Sequence, residues 1–111
     1  MEIEARTQGD MLVVRVRQDR IDAAAAIQFK DRMREATQVG QGRVLLDLSQ
    51  VAFLDSSGLG AVVAVRKSLG PDRPLELAGL RPPVEKVFRL TRMDSIFTIH
   101  PAVQDGLRNA G

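Results

Sequence analysis

The chain has 111 residues, of which 44% are apolar and 27% charged, with a formal charge of +2, no cysteine and a single histidine. That length suits one domain, residues 1–111, built on one core, and the lack of cysteine excludes disulfides, thiolate nucleophiles and thiolate zinc sites. The pI of 9.7 reflects a small excess of Arg and Lys in a chain where one His alone titrates near neutrality. Charges are interspersed and aromatics make up only 4% of residues, so neither a phosphate-tracking stripe nor a base-stacking platform for nucleic acid is expected. The apolar runs are too short to span a bilayer, and Met1 leads into Glu2-Ile3-Glu4 rather than a basic-then-apolar signal. A cytoplasmic protein without membrane insertion is expected.

Residues 2–7 and 11–17 flank Gln8-Gly9-Asp10, which has the composition of a hairpin turn. In the second run Leu12, Val14 and Val16 share one face, opposite Val13, Arg15 and Arg17. This predicts an antiparallel pair with one buried and one wet face, and it places Arg15 and Arg17 on the solvated side. Residues 18–21 form a short polar connection to Asp22, which is typed to cap a helix reaching about Gln38. Ala26, Phe29, Met33 and Ala36 fall on its inward face, and Gly40 and Gly42 end it.

The stretch 43–64, RVLLDLSQVAFLDSSGLGAVVA, organises the rest. Its first apolar run reads as a buried strand. The cluster Asp55-Ser56-Ser57-Gly58 before a second apolar run reads as a helix start, with Ser56 and Ser57 in the N-cap region and the helix running from Gly58 to about Leu69. The valines at 62, 63 and 65 would tolerate a strand. The cap signal, the reach to Gly70-Pro71 and the need for a crossover between parallel strands favour a helix. A serine at such an end can cap, bind an anion or carry a phosphate, because the first N–H groups of a helix are unpaired and lie at the positive pole of its dipole.

Residues 74–79 read as a further short strand, and Pro82-Pro83 starts a helix with Val84, Val87 and Phe88 inward. Residues 96–99 read as the last strand and residues 101–109 as a terminal helix. A hairpin followed by alternating strands and helices predicts an α/β domain with a mixed sheet of about five strands. His100, at an element end before Pro101, reads as a solvated position. No G-x-S-x-G elbow accompanies it, so an acyl-transfer enzyme is not expected. One His without cysteine gives no metal-ligand spacing, Met11, Met33 and Met93 read as filler, and no cofactor is expected.

The run Asp55-Ser56-Ser57-Gly58-Leu59-Gly60 after D-L-S-x-V-x-F-L, together with the hairpin and the short C-terminal strand and helix, resembles the STAS domain of bacterial anti-sigma-factor antagonists over nearly the whole chain. The resemblance implies helices packed mainly on one face of the sheet and a non-enzymatic partner switch. In such a switch Ser57 is phosphorylated by an anti-sigma factor that is itself a serine kinase. The unphosphorylated form binds that kinase and frees a sigma factor, the phosphorylated form lets go, and a PP2C-type phosphatase resets the cycle. Asp55, Ser56 and Asp22 would shape the surroundings of Ser57, and an exposed face at Gly58, Leu59 and Gly60 would form part of the contact. Asp19 and Ala25 depart from the family's usual glycine and small hydroxyl residue around the aspartate matched to Asp22, which bears on kinase recognition. Related STAS modules serve instead as accessory subunits of lipid-transport ATPases or in stress-signalling assemblies.

Overall fold

The structure, a computed structural model, describes residues 1–40 and 42–108. In chain order its elements are β1 (Ile3–Gln8), β2 (Met11–Val16), β3 (Arg20–Ile21), α1 (Ala23–Ala36), β4 (Val44–Asp47), β5 (Phe53–Leu54), α2 (Ser56–Leu69), β6 (Leu75–Ala78), α3 (Pro82–Leu90), β7 (Thr98–His100) and α4 (Val103–Arg108). Five strands make one mixed sheet in the order β1-β2-β4-β6-β7. The hairpin β1–β2 is antiparallel and turns at Gly9, whose φ of +63° suits glycine. The other three neighbouring pairs are parallel, each joined through at least one helix.

Every residue of β4 and β6 is buried, as expected of parallel strands covered on both faces. On one face α1, α2 and α3 set Phe29, Met33, Val62, Val84 and Phe88 against Val14, Val16, Val44, Leu46 and Leu77. Phe88 meets Phe97 edge to face, with ring centres 5.7 Å apart and planes at 85°, a contact that adds about 1 kcal/mol to the buried area. On the opposite face α4 lays Val103 and Leu107 over Met11, Val13, Leu45 and Ala78. Gly106 permits this docking, since a Cβ there would stand 2.9 Å from a Leu45 methyl.

The second face of the hairpin is therefore not wet where α4 lands: Val13 is 2% exposed. Arg15, expected among solvated side chains, donates from Nε to the buried carboxylate of Asp47 at 3.0 Å. Arg17 pairs with Glu4 on the outer part of the same face. His100 is a further correction, because it is buried rather than solvated and its Nε2 lies 2.7 Å from Glu76 Oε1. Arg43 completes that cluster with a two-pronged contact to Glu76, at 2.5 and 2.6 Å. Burial pushes the Glu76 carboxyl up, but hydrogen bonds from Arg43 and His100 and their charges outweigh it and hold the group below its ordinary value.

Element boundaries also moved. The last strand is Thr98–His100, because residues 93–95 form a 3-10 turn that places Phe97 in the core before the strand begins. Helix α4 begins at Val103 and is described to Arg108, and Asn109 lies outside the described residues. At the end of α1, Arg73 donates to the carbonyls of Thr37, of Val39 at 2.7 Å and of Gly42 at 2.8 Å. One guanidinium thus gathers the loop between α1 and β4. Among the described residues no helix is long and apolar enough to cross a membrane.

Candidate functional site

The apolar stretch read as one strand is two. β4 ends at Asp47, and Phe53–Leu54 leave the main sheet to pair in parallel with Arg20–Ile21, inside what had the composition of a connector. The Asp19 carbonyl extends this small sheet by accepting from the N–H groups of Ala52 at 2.7 Å and Phe53 at 3.0 Å. The register is Arg20 opposite Phe53 and Ile21 opposite Leu54. Each strand then runs directly into an aspartate that caps the next helix. Asp22 Oδ1 accepts from Ala25 N at 3.2 Å, and Asp55 Oδ1 accepts from Gly58 N at 2.9 Å.

Continued by one residue, the same register sets the two caps beside one another, with neighbouring strands about 4.8 Å apart. Two helices therefore begin at one end of the molecule, with parallel origins and adjacent positive poles. Gly58 brings α2 this close, because a Cβ on it would lie 1.9 Å from the Ile21 carbonyl oxygen. No side chain fits there.

Asp55 rather than either serine is the cap, and the helix starts at Ser56 instead of Gly58. Ser56 and Ser57 occupy its first two positions and both are exposed. Among the described residues none hydrogen-bonds the Ser57 hydroxyl. Because Asp55 already satisfies the Gly58 N–H, that hydroxyl has no capping duty. Of the residues expected to surround it, Asp22 is half-buried and spent on α1, while Asp55 is spent on α2. The expected exposed face at Gly58, Leu59 and Gly60 holds only at Gly60. Gly58 is buried against Ile21, and Leu59 is 8% exposed within the core.

Three further side chains, Arg20, Phe53 and Ile27, stand at this end, the first two without a local sequence signal that marks them. Arg20 reaches along its own strand, with Nε 3.4 Å from Asp22 Oδ2, and its guanidinium lies 4.3 Å from the centre of the Phe53 ring. Phe53 is 39% exposed and Ile27 on α1 is 67% exposed. Ile27 could have been found from the helical period, since it falls outside the Ala26, Phe29 and Met33 stripe. Gln28 and Arg32, on one flank of α1, bond Met1 of the N-terminal segment. Ile27, in the second turn of α1, makes neither contact.

As chemistry, the site offers an unencumbered hydroxyl in the first turn of α2, at an end of the molecule that also holds the two capping carboxylates and the Arg20 guanidinium. The chain's one histidine is bound to Glu76, so it supplies no base for Ser57. Among the described residues no histidine or other base hydrogen-bonds this hydroxyl.

Comparison with known proteins agrees with this architecture. The STAS domain matches residues 2–106. An anti-sigma-B factor antagonist of Listeria monocytogenes is 38% identical over 81 residues, covering 71% of this chain and 70% of that protein. The fold superposes on an anti-sigma-factor antagonist STAS domain protein of Planctomyces limnophilus with a TM-score of 0.85 at 22% identity, covering 96% of this chain and 94% of the other. An anti-sigma factor antagonist of Mycobacterium paratuberculosis gives a TM-score of 0.85 at 24% identity, covering 96% and 91%. With its five-stranded mixed sheet, two aspartate-capped helices and the D-S-S-G-L-G turn, the chain belongs to the STAS-domain family.

Proposed function

We propose that the protein is a cytoplasmic anti-sigma-factor antagonist working as a phosphorylation-controlled partner switch, with Ser57 as phosphoacceptor. The observation that carries this reading is the free Ser57 hydroxyl at the second position of α2, relieved of capping by Asp55. Unphosphorylated, the end of the molecule around Ser57, with exposed Ser56, Gly60, Phe53 and Ile27, docks on an anti-sigma factor that is also a serine kinase, which frees a sigma factor. The kinase passes the γ-phosphoryl group of ATP to Ser57 Oγ, the hydroxyl proton is lost and ADP leaves. A PP2C-type phosphatase hydrolyses the ester and restores the serine.

The fold tolerates the phosphate and the interface does not. At a helix N-terminus the new anion meets unpaired N–H groups and a favourable dipole. Facing a partner surface fitted to a neutral hydroxyl, roughly two negative charges at partly buried dielectric cost about 3 kcal/mol. That lowers affinity about a hundredfold.

The test is phosphopeptide mass spectrometry after incubation with the serine kinase encoded nearest in the genome and ATP, with binding of Ser57→Ala and Ser57→Asp measured alongside. Label at Ser57, with binding kept by the alanine variant and lost by the aspartate variant, is expected. Label solely at Ser56 would move the site, and no label at all would overturn the switch.

A further inference from the structure

Arg20 is a cation at the same end of the molecule as Ser57. It lies on β3 one residue before Ile21, whose carbonyl is the surface on which the first turn of α2 rests. Because Ile21 is buried, strand alternation turns Arg20 outward, and its register partner Phe53 is exposed beside it. The guanidinium lies over that ring, its carbon 4.3 Å from the ring centre, and is tethered to Asp22 by a single long contact of 3.4 Å. Its other donors make no ion pair with any described carboxylate, and its side chain is 55% exposed. Stacking restrains a long side chain that would otherwise sweep through solvent, so the positive charge is stationed at this end of the molecule in advance.

A phosphate on Ser57 would enter a place already bounded by Asp22 and Asp55, the two caps. Two helix poles offset part of that crowding; one guanidinium with free donors offsets more. Arg is also the side chain whose planar fork matches a phosphate in two parallel bonds.

We propose that Arg20 is the counter-ion of phosphorylated Ser57: on phosphorylation its guanidinium keeps its stack on Phe53, leaves Asp22 and takes the phosphate. This rests on Ser57 being the phosphoacceptor. Arg20 acts as a positioning residue, folding the phosphate onto the domain so that the modified form is a defined state. The weak bond to Asp22 is what makes the exchange easy, since a long, exposed ion pair contributes little to hold it back.

The experiment uses the full chain with phosphoserine incorporated at position 57 during translation, so that no kinase is required, and follows the phosphate by phosphorus NMR across its second ionisation. In the wild-type background the transition is expected below that of Arg20→Gln by about half a pH unit, the size expected for one counter-charge at the surface. Arg20→Lys, which keeps the charge but not the planar fork, should recover part of that difference. Arg6→Gln on the far edge strand β1 removes the same charge elsewhere and should leave the transition within about a tenth of a unit, since exposed charges beyond about 10 Å are screened. Coincident curves for wild type and Arg20→Gln would overturn the proposal, as would equal shifts for Arg20→Gln and Arg6→Gln. These outcomes are independent of whether a kinase modifies Ser57. Failure of enzymatic labelling would sink the switch, while failure of the titration would sink only the counter-ion.

Discussion

Two glycines of the same turn should respond to alanine with opposite signs. At Gly58 the added Cβ would lie 1.9 Å from the Ile21 oxygen and 2.9 Å from its carbonyl carbon. Those are backbone atoms of a paired strand, so no rotamer change relieves the clash; the first turn of α2 must lift away from β3. Overpacking of this kind costs about 3 kcal/mol, against up to about 1 kcal/mol gained from alanine's better helix propensity. A net loss of about 2 kcal/mol remains, equivalent to about 8 °C in Tm for a domain of this size. At Gly60 an added Cβ meets nothing within 4 Å, and the residue is exposed within the same helix. Gly60→Ala should therefore gain about 1 kcal/mol and about 4 °C. Thermal and urea denaturation of both variants, monitored by circular dichroism, reads the contrast directly. A Gly58→Ala protein as stable as wild type would refute the close approach of α2 to β3, and with it the side-by-side placement of the two caps.

Other substitutions report on separate parts of the molecule. Asp55→Ala should lose about 1 kcal/mol in urea denaturation because the Gly58 N–H loses its acceptor, while Asp55→Asn, equally able to cap, should stay near wild type; equal losses would mean that the charge matters and the cap does not. Arg73→Ala removes the donor to three loop carbonyls and should cost about 2 kcal/mol, visible also as faster amide exchange in the loop after α1. Glu76 has a folded pKa below its unfolded value, so the stability it contributes is present above about 4.5 and is lost as pH falls through the depressed folded value. In Glu76→Gln that part of the acid dependence should vanish from chemical denaturation curves taken between pH 3 and pH 6, and an unchanged slope would argue against the Arg43 and His100 contacts. Ile27→Asp, at a position 67% exposed, should unfold within about 0.5 kcal/mol of wild type yet bind the proposed partner kinase at least tenfold more weakly in calorimetry, about the cost of losing one apolar anchor.

Where local pattern and final environment coincide, the chain could be read directly. Leu12, Val14 and Val16 alternate and are buried, Ala26, Phe29 and Met33 follow a helical period and face inward, and the cap at Asp22 is where a polar residue precedes an alanine run. The misreadings share a different cause. Val13 is buried because α4 returns to cover it, and His100 because Glu76 on β6 and Arg43 just before β4 close around it. Neither event leaves a mark within a few residues of the side chain it buries. β3 and β5, two residues each, are too short to display any period.

The turn at 55–58 was ambiguous for a further reason, since Asp55, Ser56 and Ser57 are all competent caps and propensity does not rank them sharply. The choice is made by tertiary contact. Ile21 fixes how deep Gly58 sits, the depth of Gly58 fixes which N–H faces back along the chain, and Asp55 is the residue whose oxygen meets it at 2.9 Å. A side chain at position 58 would raise the turn and reopen the contest among the three. The freedom of the Ser57 hydroxyl is thus a consequence of packing between β3 and α2, and a bulky residue at 58 would disturb the proposed phosphoacceptor without touching it.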